Sequence, residues 1–224
     1  KALGHSAKDS ELILGQSILK RWTVVNRPFM PEYPGDRQWN HDAAQLAVAP
    51  NPDIDDLHYP TWTMLLEHIG RHIDFAINND SWCVENDILT GGEYLKLWIA
   101  SLIQQPFEPL PYLFMYGQQS SGKSIFHEAL ALVITNGIVR ADAALISSSG
   151  FNGELHSSVL CVVEETDLRA NKTQAYNRIK DWVTGQTINI HTKGATPYSA
   201  RNSTHWVQCS NELEACPVFP GDTR

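Results

Sequence analysis

Tyr112-Leu113-Phe114-Met115-Tyr116-Gly117-Gln118-Gln119-Ser120-Ser121-Gly122-Lys123-Ser124 is the stretch on which the reading of this chain turns. Its first five residues are apolar without alternation, which suits a short strand buried on both faces of a sheet. The next eight match G-x-x-x-x-G-K-[ST] in full, and Ile125-Phe126 open a helical pattern. Each residue type has a physical reason. Gly117 and Gly122 let the backbone wrap, so that the amides of Gln118, Gln119, Ser120 and Ser121 turn inward. Those amides and the helix N-terminus attract phosphate. Lys123 is placed to reach the β and γ phosphates, and the Ser124 hydroxyl to bind Mg²⁺. The expected ligands are ATP and Mg²⁺. The loop alone leaves ATPase, GTPase and small-molecule kinase open. A GTPase would carry N-K-x-D, and Asn171-Lys172-Thr173-Gln174 has Gln where Asp is required.

Working outward, Val159-Leu160-Cys161-Val162-Val163 is a second unbroken apolar run, ending in Glu164-Glu165. Carboxylates at the end of a buried strand lie at the rim where open α/β sheets bind ligands. One can hold Mg²⁺ and the other polarise the attacking water. Glu164 is assigned to the metal and Glu165 to the water, with the exchange of the two roles left open. A third strand, Ser203–Cys209, leads into Ser210-Asn211, an amide positioned to orient the lytic water. Thr187–Lys193 reads as a further strand, with the turn Gly194-Ala195-Thr196-Pro197 between it and Ser203–Cys209. Helices are expected from Thr61 to about Asn78, Gly92 to Gln104, Lys123 to Thr135, and Thr173 to Thr184, the last closed by Gly185. Strands alternating with helices give an α/β P-loop NTPase fold with a mainly parallel sheet.

The expected organisation is an irregular strap over residues 1–60, a small helical region over 61–110 and the ATPase core over 111–224. Pro106, Pro109 and Pro111 mark the last boundary. Arg37, Trp39 and Asn40 are candidates to pack the strap onto the next domain. His68 and His72 have metal-ligand spacing but lack the H-E-x-x-H glutamate and a third ligand, so no metal site is assigned there. The four cysteines form no C-x-x-C pair, and buried reduced thiols are expected. The net charge of −8 argues against a broadly basic nucleic-acid coat but permits a narrow basic pore. No apolar stretch approaches the ~20 residues of a membrane helix, and a cytoplasmic location is expected. The chain starts at Lys1 and stops at Arg224 in mid-motif, so it reads as a piece of a longer protein.

The order Gly117–Ser124, Val159–Glu165, Thr187–Lys193, Trp206–Asn211 resembles the superfamily 3 helicase motors of viruses, phages and plasmids. It is most similar to the helicase part of phage and plasmid primase-helicases or primase-polymerases, over about residues 90–224. The resemblance implies an AAA+ type fold, a hexameric ring and translocation on single-stranded DNA, with a fused or partner primase or polymerase, in the host cytoplasm if phage-encoded. It gives Asn211 a sensor role and makes Thr187–Cys209 a hairpin projecting into the pore. Lys193, then His191 or Arg201, would grip DNA phosphates, and Arg224 would reach a neighbouring subunit's ATP. The basic residue precedes the turn, which departs from a hairpin-tip position. Two other readings remain open: a phosphotransferase using Arg169 and Arg178 as a lid, and a nucleotide-gated replication scaffold that does not unwind.

Overall fold

The computed structural model describes residues 22–54, 59–164 and 172–216, together with Ser6, Lys8 and Asp9. Three short strands, β1 (Thr23–Val24), β2 (Gln38–Trp39) and β3 (Gln45–Leu46), belong to the N-terminal strap. Helices α1 (Pro60–Gly70), α2 (Asp74–Asn79), α3 (Ser81–Glu85) and α4 (Gly91–Gln104) come next. Then come β4 (Leu113–Tyr116), α5 (Lys123–Val133), β5 (Ile134–Thr135), β6 (Ile138–Arg140), α6 (Asp142–Ile146) and β7 (Leu160–Glu164). Helix α7 (Lys172–Thr184) and strands β8 (Thr187–Ile190), β9 (Tyr198–Arg201) and β10 (His205–Ser210) complete the described order.

The centre is a four-stranded sheet in the order β4-β10-β7-β6, and all its pairings are parallel. Apolar residues occupy both faces of its inner strands because both faces are covered. Leu160, Val162 and Val207 face one core, which Trp98, Leu102 and Phe126 fill from α4 and α5. Cys161, Val163 and Trp206 face the other, which takes Leu145 from α6 and Ala175 from α7. Period-two alternation along each strand thus divides its side chains between two layers of helices. Of the helices before Pro106, α1 and α4 share the first core with the sheet, while Ile77 of α2 and Cys83 of α3 form a small third cluster with Ile88.

Helix α4 starts with a capping box that the sequence reading overlooked. Thr90 Oγ1 accepts the Glu93 amide at 3.1 Å and the Glu93 carboxylate accepts the Thr90 amide at 3.2 Å. Leu95, Trp98, Ile99 and Leu102 are buried along one stripe, each worth about 1.5–3 kcal/mol on burial. The helix expected from Thr61 to Asn78 is interrupted: α1 stops at Gly70, and Arg71–Ile73 forms a 3-10 turn. The interruption sits where Gly70 and Gly91 touch backbone to backbone. Asp74 Oδ1 then accepts the Gly91 amide at 2.7 Å, tying the second half of the broken helix to the start of α4.

In the strap, Phe29 and Leu46 pack on the first core, and β3 pairs antiparallel with β5. That pairing explains why α5 ends at Val133 rather than Thr135. Asn40 organises the strap internally, donating to the Arg27 carbonyl at 2.8 Å and accepting the Arg27 amide at 2.7 Å. Trp39 likewise donates within the strap, to Glu32. All four cysteines are free, and burial pushes the Cys161 and Cys209 thiols up to about 12. No helix among the described residues is long and apolar enough to cross a membrane.

The hairpin expected over Thr187–Cys209 is corrected by the pairing. Strand β8 pairs antiparallel with β9, Thr187 opposite Arg201 and Ile190 opposite Tyr198. The Ser203–Cys209 segment instead becomes β10 and joins the main sheet between two parallel neighbours.

The Gly70–Gly91 contact yields a test. A methyl at Gly91 would land on the Gly70 carbonyl, a backbone atom that cannot move aside alone. Gly91→Ala should therefore cost about 1–3 kcal/mol or more in urea unfolding. Leu97→Ala, at an exposed position of the same helix, should stay within about 1 kcal/mol. Equal losses in the two variants would show that the contact does not set the helix junction.

Candidate nucleotide-binding site

The register of the sheet brings three candidate functional segments to one edge. Met115, Cys209 and Glu164 lie side by side across β4, β10 and β7. The loop after β4, Asn211 after β10 and the carboxylate ending β7 therefore share one rim. The Gly117 amide donates to the Ser210 carbonyl at 3.2 Å, which sews the start of the loop to the end of β10.

Gly122 has φ +90°, a left-handed conformation that favours glycine. No side chain caps the N-terminus of α5, so its first-turn amides are directed into the loop, where an anion fits. The Lys123 ammonium donates to the Gly117 carbonyl at 2.8 Å, the Gln118 carbonyl at 2.7 Å and Asn211 Oδ1 at 2.9 Å. The loop lysine and the amide at the end of β10, 88 positions apart in sequence, thus meet directly.

Glu164 is held from three further elements. His127, one turn along α5 from Lys123, donates from Nε2 to Glu164 Oε1 at 2.8 Å. Arg140, at the end of β6, pairs with Glu164 Oε2 at 3.0 Å and with Asp142 Oδ2 at 3.0 Å. Asp142 Oδ1 accepts the Glu164 amide at 3.0 Å. Burial alone would push the Glu164 carboxyl up. The Ser124 hydroxyl, the His127 imidazole and the Arg140 guanidinium outweigh burial and hold it below its ordinary value.

These residues fit a phosphate chain with its magnesium. Ser124 and Glu164 bring two hard oxygen donors to the same rim, the Ser124 hydroxyl near enough to help lower the Glu164 carboxyl, and this is the donor chemistry Mg²⁺ selects. Among the described residues no group of three or more His, Cys, Asp or Glu could hold a metal alone. Magnesium delivered with a nucleotide needs only one or two protein oxygens beside phosphates and water.

Glu165, Arg169 and Arg224 lie outside the described residues. Lys193 is exposed in the segment 191–197 that joins β8 to β9. That places it at the hairpin tip, because the hairpin closes at β9 and not at β10. His191 packs its ring against Phe151, centroids 4.7 Å apart, and its amide donates to Asn152 at 2.7 Å. Arg201 stands at the hairpin base, its guanidinium 4.0 Å over the Phe107 ring, so it is not grouped with Lys193. Arg178 donates to the carbonyls of Ala144, Leu145 and Ser147, closing the end of α6 rather than standing free as a lid. His68 donates to the Ser121 carbonyl at 3.2 Å, while His72 accepts from Arg71; the two do not form a pair.

Sequence reasoning overlooked His127, Arg140 and Asp142. His127 carried a usable signal, since spacing of three and four from Ser124 and Lys123 puts all three on one helix face. Arg140 and Asp142 carried none, because β6 is three residues long and no motif surrounds it.

The profile of a family described as being of unknown function (DUF5906) matches residues 115–224. No curated protein matches the chain. Among solved structures, the chain is similar to the NrS-1 C-terminal region (305–718), with TM-score 0.62, 18% identity and coverage of 97% of this chain. A second structure of the NrS-1 C-terminal region gives TM-score 0.56 at 18% identity over 98% of this chain. The chain spans about half the length of these structures, 51% in each. The likeness shows a shared α/β fold, with the parallel sheet β4-β10-β7-β6 between layers of helices.

A lowered carboxyl fixes the sign of a pH effect. Ionised Glu164 stabilises the fold above the ordinary carboxylate range, and that contribution is lost as pH falls through its lowered value. The wild type should exceed Glu164→Gln in urea midpoint at pH 7, and the gap should close below about pH 4. A gap unchanged from neutral to acid pH would show that ionised Glu164 contributes nothing.

Proposed function

We propose that this chain is the ATPase motor of a superfamily 3 type replicative helicase, coupling ATP hydrolysis to movement along single-stranded DNA as a ring. The observation that carries the reading is the junction of Lys123 with Asn211, beside the held carboxylate of Glu164, on the edge where β10 lies between the loop strand and the acidic strand. This joins a phosphate cradle, a metal-binding pair and a polar reporter in one site.

In this reading the loop amides and Lys123 bind the ATP phosphates, and Lys123 exchanges loop carbonyls for phosphate oxygens. Ser124 and Glu164 hold Mg²⁺, which when bound neutralises phosphate charge. Glu165, next in sequence to Glu164, orients the lytic water. Asn211 loses its Lys123 partner when the lysine turns to phosphate, and so reports the occupied site. Arg224 of a neighbouring subunit supplies charge to the transferring phosphate, an effect worth on the order of 10³–10⁵ in rate in related systems. Lys193 at the hairpin tip grips the DNA backbone without reading sequence. The tie of Arg178 to the end of α6 weighs against the phosphotransferase alternative.

ATP hydrolysis with and without single-stranded DNA, over a range of protein concentration, tests the reading. Turnover should rise with both variables. Lys123→Ala should lose on the order of 10²-fold or more, and Lys193→Ala should weaken the stimulation by DNA. Hydrolysis that needs Lys123 but ignores DNA and concentration would sink the ring motor. Stimulation by DNA without displacement of a paired strand would point instead to a nucleotide-gated scaffold.

A further inference from the structure

We infer that His127 is a positioning residue for the metal-holding carboxylate: it fixes Glu164 and thereby sets the affinity of the site for a divalent cation. The inference rests on the proposed nucleotide site. Glu164 ends β7, at the open edge of the sheet, where a carboxylate can rotate unless its oxygens are held. Four elements face it: α5 with Ser124 and His127, β6 with Arg140, α6 with Asp142, and β10 with Cys209. The two carboxylate oxygens have different holders. Oε2 is met by Arg140, whose long side chain is 61% exposed. Oε1 is met by His127, whose side chain is 11% exposed and whose short arm springs from a packed helix. The imidazole is therefore the firm restraint and the guanidinium the loose one.

His127 also sits where a polar side chain needs a reason. Its neighbours on α5, Phe126 and Leu130, are buried in the first core. His127 is itself largely buried, and a buried imidazole costs stability unless it is hydrogen-bonded. Its described partner is Glu164. With Nε2–H directed at the carboxylate, this nitrogen has no lone pair to give a metal. The role left to it is to orient the ligand, an arrangement whose loss typically costs 10–100-fold in metal affinity.

The test compares His127→Phe, which keeps the bulk but loses the donor, with His127→Gln, which keeps an N–H. ADP binding is titrated calorimetrically across a series of Mg²⁺ concentrations, and Mn²⁺ binding to the ADP complex is read by electron paramagnetic resonance. Thermal melts check that both variants are folded. In His127→Phe the half-saturating Mg²⁺ should rise roughly 10–100-fold, while ADP affinity without metal moves far less. His127→Gln should recover most of the loss. In a Glu164→Gln background, His127→Phe should add little, because it acts through that carboxylate. Folded Phe and Gln variants with the same metal affinity as the wild type, or with equal losses, overturn the inference, as does full additivity with Glu164→Gln. A wild type that binds no ADP overturns the nucleotide-site reading and this inference with it. A wild type that binds ADP with Mg²⁺ and ignores His127→Phe overturns this inference alone.

Discussion

The two parallel ladders on either side of β10 are the constraint on which the other features depend. Val207 is paired with Leu113 on one side and Val162 on the other. Because a strand's side chains alternate faces, a slip of one residue in either ladder would turn Val207 and Cys209 out of the first core and Trp206 out of the second. The hydrophobic pattern therefore fixes the register, and the register fixes which strand ends are level. Tyr116 and Ser210 finish opposite each other and Glu164 one residue short of them, opposite Cys209, so the loop lysine, the terminal amide and the carboxylate share one rim although sequence separates them widely.

The charges at that edge follow from the same geometry. The inner strands are apolar on both faces, so their ends are the first places where ionised groups can meet water. Glu164, Asp142 and Arg140 close one side of the site through salt bridges and the Glu164 amide. Lys123 and Asn211 close the other. The lysine's described hydrogen-bond partners are carbonyl, hydroxyl and amide oxygens, all neutral, so under the proposed function phosphate can draw it away. A carboxylate partner would compete with the nucleotide. Glu164 is arranged oppositely: donors surround its oxygens, keep it ionised and limit its orientations.

Much of this was legible in the sequence because the signals were local. The unbroken apolar runs before Gly117 and Glu164, the phosphate loop and the amphipathic pattern of α4 each lie within a short window. The hairpin was not legible, for a physical reason. Thr187–Lys193 and Ser203–Cys209 flank a glycine–proline turn and looked like partners. Yet Trp206-Val207-Gln208-Cys209 is buried throughout, the signature of a strand covered on both faces, whereas β8 alternates exposed and buried. A strand buried at every residue needs a neighbour on each side and a layer on each face, which the interior of the main sheet supplies and a two-stranded hairpin does not. Strand β9 was missed because Tyr198-Ser199-Ala200-Arg201 is only four residues long and weakly apolar; its place comes from pairing with β8. The break in the first helix was signalled in sequence only by Gly70, since Arg71-His72-Ile73 carries no helix breaker, and the contact that requires Gly70 is with Gly91, distant in sequence.

Strand β10 also joins two regions that sequence motifs treat separately. Six residues of strand span about 20 Å. At one end Asn211 accepts from Lys123; at the other, Asn202 donates to the carbonyls of Trp182 and Gly185 at the close of α7. The hairpin base is fixed by the same group, because Thr187 and Arg201 adjoin Gly185 and Asn202, and Ile188 and Ile190 lie in the second core. A strand buried along its whole length and paired on both sides resists bending. Under the proposed function, a displacement at the Asn211 end would reach the hairpin base through β10 and Asn202, together with the end of α7. The tip carrying Lys193 would then be steered from the nucleotide edge by the attitude of β10.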